Sequence, residues 1–263
     1  MKRSQIVNIY KDTVIAGKRF GGRFDQSTLY EASEIPDWCD ISTDPIKNEP
    51  GRGAPKYTPK VSVVNALTLT TARELYDDNN KLLVLVMASD SCPGGDVIKG
   101  TQAQEEDIYR CTNFTNCSNK SYYPLTADSF IITEKVTVFK DKDYQALLDP
   151  VQLDFISMPA VYKPGLRYGT YLSEEEAETM KLKIDLIFRY AVLEGYNILV
   201  LGALGCDVIG NPAEDVAHMF KNTIDLYGGY FKQIVFSVPS EEKYNTFNIF
   251  KDIIVHNEVR KVS

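Results

Sequence analysis

Three uninterrupted apolar runs constrain this chain most: residues 82–87, 198–201 and 234–238. A strand with one wet face alternates apolar and polar residues. Runs that are apolar at every position suit strands covered on both faces, as in a sheet held between helical layers. Weaker strand candidates are residues 61–64, 130–139 and 155–158. The intervening patterns are helical. Ser173-Glu174-Glu175-Glu176 reads as a helix start, with Ser173 as cap and Glu176 completing a capping box. Ala177, Met180, Ile184, Phe188, Ala191 and Val192 follow at helical spacing, and Gly195 stops the helix. Asn211-Pro212 is expected to open another helix, Asn211 capping and Pro212 taking the first position, through Val216, Phe220 and Ile224 to Gly228-Gly229. A last helix is expected over residues 241–253. Strands alternating with helices predict an α/β layered fold with a parallel or mixed central sheet.

Composition narrows the function classes. With 263 residues, 44% apolar and 25% charged, the chain is long enough for one sizeable core and ordinary for a globular domain. A single domain over residues 1–263 is expected, of which 1–60 form an N-terminal helical and irregular extension, because residues 18–53 are rich in Gly, Pro, Asp and Ser. The net charge of −7 argues against general nucleic-acid binding, which needs clustered Lys and Arg. A small anion held by backbone N–H groups stays open. Five cysteines without a Cys-x-x-Cys pair, and two histidines, predict free thiols rather than a zinc site. No apolar run approaches the roughly 18–20 residues of a membrane span, and Met1-Lys2-Arg3-Ser4-Gln5 is not followed by a signal-peptide core. A soluble, cytoplasmic chain is therefore expected, in which the Asn-x-Ser/Thr triplets at Asn113, Asn116 and Asn119 carry no sugar.

Two loops carry the chemistry. The first run ends in Ala88-Ser89-Asp90-Ser91-Cys92-Pro93-Gly94-Gly95-Asp96, a turn whose glycines let ligand atoms approach the backbone, and then reaches Gln104-Glu105-Glu106 at an expected helix start. The second run continues into Gly202-Ala203-Leu204-Gly205-Cys206-Asp207-Val208-Ile209-Gly210-Asn211-Pro212. A strand, a glycine loop and a helix in that order present free N–H groups to phosphate at a sheet edge. The spacing is not the Gly-x-Gly-x-x-Gly of dinucleotide enzymes.

Together these loops resemble the Gly-Gly-Gly plus Gln-Glu-Glu signature and the diphosphate loop of microbial-type poly(ADP-ribose) glycohydrolases. Asn65-Ala66-Leu67-Thr68 and Val235-Phe236-Ser237-Val238 are similar too, as is Lys11-Asp12-Thr13 in the first helix. The resemblance implies a macrodomain-like fold, a mixed central sheet sandwiched between helices, with ADP-ribose or an ADP-ribosylated macromolecule across the loops. It implies Glu106 as catalytic acid/base and Glu105 on the ribose hydroxyls. Gly94, Gly95, Asp96 and Gln104 would lie around the distal ribose, and Gly205, Cys206, Asp207, Val208, Ile209, Gly210 and Asn211 would cradle the diphosphate. Phe236 and Tyr244 stand where macrodomains contact adenine. One carboxyl group suffices to protonate a departing glycosidic oxygen and then activate water, so neither metal nor cofactor is required.

The chain departs from the pattern at Cys92, Asp96, Asp207 and Ile209. Asp96 and Asp207 put carboxylates where the family has glycine beside a dianion. Like charges at ~4 Å cost roughly 4 kcal/mol at an effective dielectric near 20. Those side chains must turn away or be paired. A non-catalytic ADP-ribose-binding macrodomain is the alternative reading, and a structural protein that lost its ligand a third. His218 is expected at a surface or packing position, and Trp38, Phe247 and Phe250 in core or groove walls.

Overall fold

The computed structural model describes residues 1–36 and 55–256, so Trp38, Cys39 and much of the 18–53 segment fall outside it. The elements in chain order are α1 (Arg3–Gly17), β1 (Ser27–Glu31), β2 (Lys60–Val64), α2 (Thr68–Leu75), β3 (Leu82–Ala88), α3 (Gln104–Cys111), α4 (Phe114–Cys117), β4 (Ser129–Lys140), β5 (Ala146–Pro159), β6 (Leu166–Arg167), β7 (Tyr171–Leu172), α5 (Glu174–Leu193), β8 (Ile198–Leu201), α6 (Ala213–Tyr227), β9 (Gln233–Ser237) and α7 (Thr246–Lys251).

Seven strands make one mixed sheet in the order β1-β4-β5-β3-β8-β9-β2. Strands β5, β3, β8, β9 and β2 run parallel, and β4 is antiparallel to both β5 and β1. The C-terminal ends of six strands, all but β4, therefore share one sheet edge, the edge from which both glycine-bearing loops issue.

Every other residue of the central strands enters a different core layer. Leu83 and Leu85 of β3 and Leu199 and Leu201 of β8 pack with α5, α6 and α7. Leu82, Val84 and Val86 of β3 and Ile198 and Val200 of β8 pack with residues of α2, α3 and α4. This is why those runs are apolar throughout. Fully burying each such side chain is worth about 1.5–3 kcal/mol, so the site is hung on the best-buried strands of the sheet. An aromatic cluster of Phe188, Phe220, Phe236 and Phe250 fills the α5/α6/α7 layer.

Several expectations shift. Within the segment expected to be irregular, Ser27–Glu31 is an edge strand paired with β4, so part of that stretch builds the sheet. Its five residues are flanked by short 3-10 turns, which hide so brief a strand from a periodicity argument. Ser173 caps α5 by accepting the Glu176 N–H, but the Glu176 carboxylate accepts the Gly165 N–H instead of closing the box on Ser173. Helix α6 starts at Ala213 with Pro212 at its cap, because the Asn211 side chain is used elsewhere. The last helix begins at Thr246, five residues later than expected, and ends in a short π-helical turn. His218 is exposed on α6, as expected of a surface position.

Candidate active site

The Gln104 side chain bolts the start of α3 to the end of β3. Its Oε1 accepts the Met87 N–H at 2.9 Å, and its Nε2 donates to the Leu85 carbonyl at 2.6 Å and to Thr68 Oγ1 at 3.2 Å. All these contacts are within the protein, so Gln104 is spent on holding the helix where its next two residues face the loop after β3.

Those residues are buried, Glu105 at 5% and Glu106 at 6% exposure. The two Glu105 oxygens divide between two backbone donors, the Ser89 N–H at 2.8 Å and the Gly94 N–H at 2.9 Å. Burial pushes the Glu105 carboxyl up to about 8, against the lowering effect of those two donors and with the help of the neighbouring Glu106. Glu106 is held at one oxygen only: Oε1 accepts the Asp96 N–H at 3.1 Å, while Oε2 is buried without a hydrogen-bond partner. Asp107, the third acid of the turn, points away and accepts the Tyr144 hydroxyl.

The close approach explains the glycines. Gly95 adopts φ +51°, and a Cβ there would lie 2.7 Å from Glu106 Oε1 and 3.1 Å from Glu105 Oε2. Gly94, at φ +78°, is backed by the Tyr109 ring, which a Cβ would meet at 2.7 Å. Only glycine lets this backbone wrap both carboxyl groups. Asp96 gives its N–H to Glu106 but turns its carboxylate outward to Lys99, 2.8 Å away in an exposed pair.

The second loop is closed at its base and open along its middle. The Asn211 Nδ2 donates to the carbonyls of Val161 and Gly205 at 2.8 and 2.9 Å, and its backbone N–H also reaches the Gly205 carbonyl. A Cβ at Gly205 would collide with Ala160 Cβ and lie 2.5 Å from Asn211 Nδ2. Asn211 and Gly205 therefore close the loop, and the residues between are free to bind. Among the described residues, no acceptor is bonded to the N–H groups of Asp207, Val208, Ile209 or Gly210. Asp207 sits at φ +58°, the conformation that glycine would otherwise supply, and its Oδ1 accepts the Thr246 hydroxyl at 2.5 Å. Val208 is exposed, Ile209 half-buried, and Cys206 buried with its thiol pushed well up by desolvation.

The two loops are neighbours because β3 and β8 pair in parallel from Leu82/Ile198 to Val84/Val200. A Cβ at Gly202 would touch Met87 Sδ at 3.4 Å, so the base of the second loop rests on the strand end that Gln104 clamps. Beside them opens a cleft of about 500 Å³, lined among others by Asp90, Pro159, Ala160, Val161 and Lys183.

Sequence reasoning placed Phe236 in the ligand site, and the structure corrects this. It lies fully buried in β9 between Phe220 and Phe250, because inward positions of a two-faced strand belong to the core. Tyr244 is half-buried after β9, with the Lys243 ammonium 4.8 Å from its ring centre. Two residues carry no signal in the sequence: Thr246, which holds Asp207, and Tyr109, which backs Gly94. Asn65, in a segment that resembles the family, accepts the Ser240 N–H at its Oδ1 and ties the loops after β2 and β9. A hydroxyl or amide that bonds a distant backbone leaves no mark in local sequence. Among the described residues, no group of three or more His, Cys, Asp or Glu could hold a metal ion, and no helix is long and apolar enough to cross a membrane.

Residues 12–141 match the family model described as microbial-type PARG, catalytic domain. Over that stretch the chain is similar to the catalytic domain of microbial-type PARG. The match contains the whole acid loop, from β3 through Glu106. Solved structures agree in fold over more of the chain. Poly(ADP-ribose) glycohydrolase from Thermomonospora curvata, bound to the inhibitor ADP-HPD, superposes with a TM-score of 0.73 at 23% identity, covering 94% of this chain and 98% of that one. The enzyme from Deinococcus radiodurans in complex with ADP-ribose gives 0.72 at 24% identity, covering 89% and 95%. A comparison with curated proteins finds no match. The PARG-type fold accounts for the shared sheet edge, and the mixed seven-stranded sheet between helices is the macrodomain-like architecture expected.

Proposed function

We propose that this chain hydrolyses the O-glycosidic bond at the anomeric carbon of ADP-ribose in ADP-ribosylated substrates, with Glu106 as acid/base. The observation that carries the reading is the Glu106 carboxyl: one oxygen is fixed by the Asp96 N–H, and the other is buried and unpartnered. A buried polar atom without a partner costs about 1–3 kcal/mol, so its retention beside a glycine loop marks an atom kept for substrate.

The diphosphate lies on the N–H groups of Asp207 to Gly210, at the sheet edge beside α6. The distal ribose then reaches over β3. Glu105, locked by Ser89 and Gly94, offers its remaining lone pairs to ribose hydroxyls. Glu106 in its acid form gives its proton to the departing oxygen as the ribose gains oxocarbenium character. Its carboxylate next takes a proton from the water that attacks the anomeric carbon. Positive charge on the sugar is favoured by the carboxylate that Glu106 becomes as its proton leaves, in a water-poor site.

The site fits the departures from the family pattern. Asp96 is paired with Lys99 and Asp207 is held by Thr246, so neither carboxylate need face the dianion. That arrangement supports turnover over the reading of a non-catalytic binding module. The test is ADP-ribose release from poly(ADP-ribose) and from mono-ADP-ribosylated protein. Tight ADP-ribose binding with no release from either would favour the binding module instead.

A further inference from the structure

Resting on that reading, we propose that the cleft at the end of β5 is a leaving-side subsite, in which Lys183 binds a phosphate of the nucleotide unit that departs from the scissile bond.

Lys183 is 3% exposed, yet lines a cleft of about 500 Å³, and among the described residues it makes no hydrogen bond or ion pair. That volume falls within the roughly 300–1,000 Å³ of small-molecule sites. The stem is buried and the ammonium meets the cleft without a partner, and burial lowers its pKa to about 8, with Asp128 and Asp90 favouring the charged form. A residue chosen only to fill that wall would be apolar.

The position of the cleft names the occupant. Along the sheet edge the order is β8, β3, β5. The β8 loop offers the free N–H groups, the β3 loop the two carboxyl groups, and the cleft opens where β5 ends, at Pro159, Ala160 and Val161. A chain with its diphosphate over β8 and its scissile ribose over β3 thus continues into the β5 cleft. Both neighbouring loops border it directly. Asp90 follows Ser89, whose N–H holds Glu105, and Val161 accepts the Asn211 amide that closes the second loop.

The polar lining suits a ribose phosphate. Lys183 supplies the cation for a phosphate, while Asp90, Thr126 and Thr179 offer groups for ribose hydroxyls. Of the carboxylates on the rim, Glu176 is engaged by the Gly165 N–H and the Ser173 hydroxyl, and Asp90 accepts the Ser91 hydroxyl. Glu175 is exposed.

The experiment compares ADP-ribose monomer with the ADP-ribose dimer, by calorimetry on the slow Glu106→Gln protein with and without Lys183→Met, a change that keeps the length of the buried stem. The dimer is expected to bind about tenfold more tightly than the monomer. Lys183→Met should abolish that advantage while leaving the monomer affinity within twofold, and Lys183→Arg should retain part of it. In the otherwise wild-type chain, Lys183→Met should raise KM for polymer about tenfold with kcat changed less than threefold. Equal affinity for dimer and monomer with Lys183 intact, or equal loss for both ligands on its replacement, overturns the subsite. Absence of polymer cleavage by the wild-type protein would instead overturn the catalytic reading, and the dimer-against-monomer ratio would still decide the subsite.

Discussion

The hydroxyl of Thr246 on α7 donates to Oδ1 of Asp207 in the glycine loop at 2.5 Å, across 39 positions of chain. This contact lets an aspartate occupy a left-handed position in the loop proposed to hold the diphosphate. The backbone there needs φ > 0, which costs a non-glycine residue about 1–2 kcal/mol. The hydrogen bond offsets much of that cost and turns the carboxylate toward α7.

Thr246→Val is therefore expected to weaken ADP-ribose binding about 5- to 20-fold by releasing the Asp207 carboxylate, with the loss shrinking as salt is raised. Asp207→Gly should strengthen binding two- to tenfold and change stability by less than about 1 kcal/mol, since relief of the left-handed strain and loss of one hydrogen bond nearly cancel. Calorimetry at two ionic strengths checks both. Unchanged affinity in Thr246→Val would show that Asp207 is indifferent to the ligand.

Gly95→Ala places a Cβ 2.7 Å from Glu106 Oε1 at φ +51°. The loop or the carboxyl must move. Displacement of a catalytic group by about 1 Å can cost about 10²-fold in rate, and a loss of that order in kcat is expected, with ADP-ribose affinity reduced far less. Steady-state kinetics beside calorimetry separates the two effects.

Asn211→Ala removes both side-chain donors that hold the carbonyls of Val161 and Gly205. A loss of about 2–3 kcal/mol in stability is expected, seen as a lower denaturation midpoint at unchanged slope. ADP-ribose should then raise the melting temperature less than it does in the wild type. A midpoint that does not move would remove Asn211 from the loop's framework.

The raised Glu105 carboxyl makes stability depend on pH. Its folded value of about 8 lies above the ordinary carboxyl value of 4.5, so between the two the folded chain holds a proton that the unfolded chain has lost. This contribution is full below pH 4.5 and is lost as pH rises toward 8, with a slope of at most about 1.4 kcal/mol per pH unit. Glu105→Gln should flatten that part of the stability profile, measured by denaturant unfolding from pH 5 to pH 8. A wild-type profile that rises over this range while the variant's stays flat would contradict it.

Much of the fold was legible because the central strands are apolar on both faces. Leu82 to Val86 and Ile198 to Leu201 alternate between two core layers, and nothing but a covered sheet explains such runs. The acid pair was legible because Pro93-Gly94-Gly95 and Gln104-Glu105-Glu106 stand close in sequence. Residues that act across the fold were not. Thr246 and Lys183 carry no local pattern, and Phe236 was misplaced because a strand-end aromatic has the same letters whether it faces core or ligand. Asn211 read as a helix cap, its commonest use, until Val161 and Gly205 were seen to claim its amide.

The unpartnered Oε2 of Glu106 is the centre of the account. Single-turnover release of ADP-ribose from poly(ADP-ribose), measured for the wild type and Glu106→Gln alongside ADP-ribose affinity, tests it most directly. A drop in rate of about 10²- to 10⁴-fold at an affinity within about threefold of the wild type is predicted. Equal rates of release from the two proteins would contradict it.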